Sequence, residues 1–175
     1  MDINKILQAS EQTFFAKRFD QVNLDHIAHK IGIKKPTLYY YFDNKKHLFI
    51  ETLQYSKDKY INSLEKTLEK NDIHELLKWY LTYPQEQKNL FAISLQRNYY
   101  EDLKIQNIIL QWKKNIFKSI KKHLNQHHQM SKLQTYLFIN LLDKLSRNNC
   151  IDNYCLDYDI EDISNEIQNI FLKNC

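Results

Sequence analysis

The sequence predicts an all-α protein of about nine helices, with a three-helix unit over residues 1–46 carried on a larger helical body over 47–175. Three observations lead to this reading. Glycine occurs once and proline twice in 175 residues, so the chain has little of the turn chemistry that sheets and irregular loops need. Apolar residues recur at intervals of three and four, the spacing of one helical face, along almost the whole chain. The length allows a real core without disulfides or metal, and no internal repeat or low-complexity linker interrupts it.

Taken in order, Ile3, Ile6, Leu7, Ser10 and Phe14 mark a first helix from about Asp2 to Lys17, and Phe19 and Val22 lie in the connection after it. Asn23 is a good N-cap for a second helix ending near Ile31, because its side-chain oxygen can accept from an amide exposed in the first turn. A third helix starts around Lys35, with Pro36 in the first turn, where a missing amide proton costs nothing. It ends near Tyr41 or Phe42. Asp43 or Asn44 caps a long fourth helix bearing Leu48, Phe49, Leu53, Tyr60, Leu64 and Leu68. Asp72 caps a fifth with Leu76, Leu77, Tyr80 and Leu81. Pro84 is expected to break the chain and open a segment with Leu90, Phe91 and Leu95. Ile105, Ile109, Trp112, Ile116 and Ile120 stripe a helix from about Asp102 to Asn125. The stripes Leu133/Leu137/Leu141/Leu145 and Ile160/Ile163/Ile167/Ile170 mark the last two helices.

The single glycine, Gly32, falls between the apolar segment Leu24–Ile31 and the short one bearing Leu38 and Phe42. A tight turn between two helices needs a residue that tolerates positive φ at that place. Two short helices joined by such a turn, the second rich in Lys, Thr and Tyr, describe a helix-turn-helix DNA reader. The net charge of +4 is mild, so a nucleic-acid surface must be local. From His29 to His47 there are five lysines and one acid, which puts the basic character where that reading needs it.

Other signals exclude classes. No apolar run is long enough to span a bilayer, and the N-terminus alternates polar and apolar residues, unlike a signal peptide. The three cysteines, Cys150, Cys155 and Cys175, match no common zinc spacing, so a reduced, cytoplasmic protein without metal or other cofactor is expected. His123, His127 and His128 are read as a solvated helix end in preference to a metal site. No glycine-rich phosphate loop or nucleophile elbow is present, which argues against an enzyme. From Leu103 to Leu142 there are seven lysines and no acid, whereas Asp143 to Cys175 holds seven acids and three bases. This predicts oppositely charged helix faces lying near one another.

The segment Ile6 to Phe49 resembles the N-terminal DNA-binding domain of the TetR family of bacterial transcriptional repressors. The resemblance rests on Ile27–Ala28, Gly32–Ile33, the run Leu38–Tyr39–Tyr40–Tyr41–Phe42, and Lys45. Two departures stand out. Arg18 precedes Phe19 where relatives usually carry glycine, so that turn is expected to cost some strain. Tyr41 stands where a histidine is commoner. The resemblance implies DNA contacts by Lys34, Lys35, Pro36, Thr37, Tyr39, Tyr40, Tyr41 and Lys45, on a double-stranded, palindromic operator. It also implies a repressor with a body cavity for a small-molecule effector, for which Trp79, Tyr80, Tyr83, Phe91, Tyr99 and Trp112 are the candidate lining. One head reads too few base pairs for useful discrimination, so a homodimer is expected. Leu137, Leu141, Ile160, Ile163, Ile167 and Ile170 suit an intersubunit four-helix bundle. The alternative is a DNA-binding regulator with no small-molecule pocket, controlled by a protein partner or by its own concentration.

Overall fold

The computed structural model describes residues 2–86, 102–128, 130–151 and 160–171. Among them are eight α-helices and one short 3-10 turn: α1 (Ile3–Phe14), the 3-10 turn (Phe19–Gln21), α2 (Leu24–Lys30), α3 (Lys35–Tyr41), α4 (Lys45–Leu68), α5 (Ile73–Glu86), α6 (Leu103–His127), α7 (Lys132–Ile151) and α8 (Ile160–Phe171). No strand occurs among the described residues.

Most helix starts follow from local capping chemistry. The side-chain oxygens of Asp2, Asn23, Asn44, Asp72 and Asp102 accept from amides two or three residues on, at 2.8–2.9 Å for the first four and 3.0 Å for Asp102. Each satisfies a donor that the helix leaves unpaired. Ser131 and Gln134 bond reciprocally ahead of α7, side chain to backbone in both directions, as a capping box does.

Three expectations are corrected. Helix α1 stops at Phe14 and not near Lys17, because the chain must turn back for Phe19 to stack on Phe14 at 5.9 Å and meet Phe49 edge-on at 5.4 Å. Arg18 lies at φ −63°, ψ 147°, ordinary extended backbone, so no strain attaches to the missing glycine. Helix α5 runs through Pro84 to Glu86. Proline lacks an amide proton, so the helix passes Pro84 at the cost of one backbone bond, to the carbonyl four residues earlier.

The head packs around α1. Ile6, Phe14, Ile27, Leu38, Leu48 and Phe49 are almost fully buried. Helix α4 lies against α1 of the head and against α5 and α6 of the body. A polar link reinforces the first contact: Ser56 Oγ donates to Glu11 Oε1, and Lys59 Nζ reaches Glu11 Oε2 at 2.9 Å. Helix α4 therefore belongs to both units.

In the body α5 is central, packed on α4, α7 and α8, with Leu76, Leu77, Tyr80 and Leu81 buried. His74 Nδ1 and Ser164 Oγ, 2.8 Å apart, tie α5 to α8. On α7 the inward face is Thr135, Phe138, Ile139 and Leu142, while Leu133, Tyr136 and Leu137 are exposed. Phe138 meets Phe171 edge-on at 5.5 Å, joining α7 to α8.

Candidate nucleic-acid interface

The turn between α2 and α3 is built around Gly32. Its φ is +72°, and its amide donates to the His29 carbonyl at 3.1 Å while the Ile33 amide donates to Ala28 at 2.9 Å. These are the paired bonds of a Schellman motif, which needs a left-handed residue between them. Lys34 follows in extended backbone, and α3 begins with Lys35 and Pro36. Leu38 is the buried residue that seats α3 on the head core.

The rest of α3 faces outward. Tyr40 is 83 % exposed and Tyr39 48 %. Tyr41 is half-buried, with its ring 5.0 Å from that of Tyr40 and 6.4 Å from Phe42. Lys34 and Pro36 are exposed, and Thr37 is half-buried one turn from Tyr40 and Tyr41. Lys34, Pro36, Thr37, Tyr39, Tyr40 and Tyr41 thus share one short helix and its entry turn, with phenol and ammonium groups at the surface.

Two of the expected contacts have partners inside the head. The Lys35 ammonium sits 2.8 Å from Asp25 Oδ2 on α2, and that hydrogen bond holds it charged above the ordinary lysine range. The Lys45 ammonium lies 4.6 Å from the centre of the Phe19 ring and 3.4 Å from the Asp20 carbonyl, a cation–π seat in which burial lowers its pKa. Both lysines brace helices in addition to any contact outside. Asp25 and His47 were not singled out from the sequence. His47 accepts from the Asp43 amide at Nδ1 (3.2 Å) and stacks edge-on to Phe42, fixing the step from α3 to α4. Its signal is the Asn44-x-x-His47 spacing of a helix start, which is too common to mark a brace.

The candidate effector residues divide between two places. Trp79, Tyr83 and Trp112 gather on Tyr60 of α4, with ring centres 4.9, 5.4 and 5.2 Å from it. Trp79 and Tyr83 also stack on each other at 5.0 Å, and the Trp79 indole donates to Ser63 Oγ. These rings fill their own space. Tyr80 instead lines a half-open cleft of about 270 Å³ with Lys113, Ile116 and Phe117 of α6 and Tyr136, Ile139, Asn140 and Asp143 of α7. Lys113 and Asp143, one from each of the oppositely charged segments, face that same cleft. Phe91 and Tyr99 lie outside the described residues.

On the outer face of the last helices, Leu137 is exposed, Leu141 and Ile163 are half-buried and Ile170 is exposed. Ile167 is buried within its own chain. The side chains of Leu145, Cys150 and Ile160, and all of Cys155 and Cys175, lie outside the described residues. The histidine group is not the solvated end expected: His123 is buried, His128 is half-buried and His127 is exposed. Helix α6 turns His123 inward in register with Trp112, Ile116 and Ile120. Among the described residues no group of three His, Cys, Asp or Glu side chains is placed to hold a metal ion, and no helix is long and apolar enough to cross a membrane.

A short helix with exposed tyrosines, entered through a glycine turn and seated on a three-helix head above a helical body, is the build of a helix-turn-helix regulator. Residues 6–52 match the family model of bacterial regulatory proteins, tetR family. Over 61 residues the chain is 36 % identical to the biofilm operon icaADBC HTH-type negative transcriptional regulator IcaR of Staphylococcus aureus, covering 35 % of this chain and 32 % of that protein. The match therefore spans about a third of the curated relatives' length. Among solved structures, a transcriptional regulator (TerR/AcrR family) from Aquifex aeolicus superposes with a TM-score of 0.70 at 20 % identity, covering 95 % of each chain. A putative transcriptional regulator from Saccharomonospora viridis in complex with choline gives 0.75 at 14 % identity, covering 95 % of this chain and 93 % of that one. At such identities the superpositions establish the fold. Residues 6–52 thus carry the likeness to the tetR family of bacterial regulatory proteins, and the chain as a whole shares the fold of these solved regulators.

Proposed function

We propose that the chain is a sequence-specific DNA-binding repressor that acts as a homodimer and leaves its operator when a small molecule binds the body. The observation that carries the reading is the exposure of Tyr40 and Tyr39 beside Lys34 on a helix whose entry is pinned by Gly32. Phenol hydroxyls and an ammonium on one exposed helix can position on phosphates, while Thr37 can meet a base edge or a thymine methyl. Residues 1–46 serve as the head and 47–175 as the regulatory and dimerisation body. The exposed apolar residues Leu133, Tyr136, Leu137 and Ile170 support pairing through the last two helices. The cleft at Tyr80 and Phe117 supports an effector, as does the buried Trp112 indole N–H, which has no hydrogen-bond partner among the described residues.

A second reading draws on the closed packing of Tyr60, Trp79, Tyr83 and Trp112. A body already filled by its own aromatics suits a regulator controlled by a protein partner or by concentration.

The test is selection of duplexes from a random-sequence pool by the full chain, followed by affinity measurements across salt concentrations. Enrichment of a two-fold symmetric sequence is expected. Lys34→Ala should reduce the steepness of the log–log salt dependence by about 0.9 per head, the share of one phosphate contact. Failure to enrich any sequence, or a salt slope unmoved by the substitution, would remove Lys34 and its helix from the interface. Changes in Trp79 and Trp112 fluorescence on adding candidate small molecules, with a matching loss of DNA affinity, separate the effector reading from the second one.

A further inference from the structure

Lys46 occupies the second position of α4, next to the turn that ends α3, and more than half of its side chain is exposed. Its ammonium is not directed to solvent alone. It pairs with Oδ2 of Asp102, the residue that opens α6 in the body. The two carboxylate oxygens of Asp102 are divided between different tasks. Oδ1 accepts from the Lys104 amide at 3.0 Å and the Ile105 amide at 3.3 Å, so it is fixed to the first turn of α6. Oδ2 holds the lysine. The carboxylate is 21 % exposed against 55 % for the lysine, so the acid is the fixed member of the pair and the long, flexible lysine is the one able to leave.

We infer that Lys46 is a further phosphate-contacting residue of the head and that Asp102 is its positioning residue, holding the ammonium off the DNA backbone whenever the start of α6 lies against α4. The inference rests on the DNA-binding reading above. Lys46 stands immediately after Lys45, at the end of α4 that the recognition helix runs into, and it is the more exposed of the two. Lys45 is already seated over Phe19, so Lys46 is the lysine free to exchange one anion for another. A carboxylate and a phosphate compete for the same ammonium, and DNA binding then requires the pair to open. The opposite end of the linkage lies in the body. Ile116 and Phe117, farther along α6, line the cleft with Tyr80, so an occupant that fixes α6 in this placement favours the closed pair and lowers DNA affinity by the same factor that DNA lowers its own.

Asp102→Asn tests this with little disturbance, since an asparagine oxygen caps a helix as well as an aspartate does while its charge is gone. Asp102→Ser is the second capping variant, should the first fold poorly. Affinities of the full chain are measured for a duplex selected by the wild-type protein and for an unselected duplex, at several salt concentrations, with and without Lys46→Gln. Asp102→Asn is expected to tighten binding to both duplexes by roughly three- to tenfold at low salt, as a weak exposed pair gives way to a phosphate contact, and to steepen the salt dependence by about 0.9 per head. In the Lys46→Gln background the same substitution should do nothing. Equal tightening with and without Lys46 would reduce the effect to general charge and overturn the inference, as would unchanged or weaker binding by Asp102→Asn. Wild-type protein that binds no duplex at all would overturn the DNA-binding reading and this one with it, an outcome distinct from wild-type binding with a flat cycle.

Discussion

His123 shows how much a single buried side chain can carry. Its ring centre lies 4.8 Å from that of His127 and 5.6 Å from that of His128. Burial first, and then the charges of those two neighbours, lower its pKa from 6.5 to about 4. His123 and His127 line a second, more open cleft, apart from that at Tyr80, with Glu65, Glu69 and Lys122; those three do not contribute to the lowering. An unfolded chain would protonate this imidazole near 6.5, so between that pH and about 4 the unfolded state binds the additional proton. Stability should therefore fall as pH drops through this window and depend little on His123 above it. The carboxyls of Glu75 and Asp102 behave differently, because hydrogen bonds from Lys70 and Lys46 hold them below the ordinary range. What they contribute is present above the unfolded carboxylate pKa and is lost only at lower pH. Urea midpoints measured from pH 7 to pH 4 should show a decline that His123→Gln flattens. An equal decline in both proteins would assign the acid sensitivity to other groups.

At the scale of an element, the α2–α3 turn rests on backbone conformation more than on side-chain space. A Cβ built on Gly32 would meet nothing within 4 Å, yet the residue sits at φ +72°. Gly32→Ala should thus cost about 1–2 kcal/mol, the penalty of an L-residue in the left-handed region, and Gly32→Asn less, since asparagine visits that region more readily. Chemical denaturation of the two variants gives the comparison. A loss well above that range would point to crowding that the open surroundings do not contain. The turn between α4 and α5 makes the same point with another residue: Asn71 adopts φ 53°, and it is the non-glycine residue with positive φ among those described. Gly32 was legible because a single glycine has few other reasons to stand between two apolar helices, whereas the turn at Asn71 was not read from the sequence. The end of α1 was not legible either, since Phe15 to Lys17 would continue a helix by propensity and are turned only because Phe19 has aromatic partners on α1 and α4.

For the whole molecule, the arrangement of the last two helices decides how assembly can be tested. Leu137 is exposed and Ile167 is buried inside its own chain, although both belong to apolar stripes that look alike. Leu137→Asp should leave the monomer folded while separating the proposed dimer, because the charge enters an apolar seam only in the assembled state. Ile167→Asp should instead destabilise each chain, by about 3 kcal/mol or more, through an unpaired charge in the core. Sedimentation separates the two states, and circular dichroism reports the fold. A Leu137→Asp protein that still sediments as a dimer would move the interface off this face.

The sequence by itself determined the features that depend on neighbours a few residues away: the all-α class, the helix starts at Asn23, at Asp43 or Asn44, at Asp72 and near Asp102, the glycine turn, and the exposure of tyrosine on α3. Capping and turn conformation are satisfied within one turn of the chain, so composition and spacing are enough to read them. Tertiary structure alone decided which groups meet across helices. Lys35 reaches Asp25, Lys46 reaches Asp102, Lys45 lies on Phe19, and the candidate pocket aromatics pack on Tyr60. Those pairings join residues from ten to more than fifty positions apart. They depend on the angle and register at which whole helices settle into a shared core, and no local pattern encodes that.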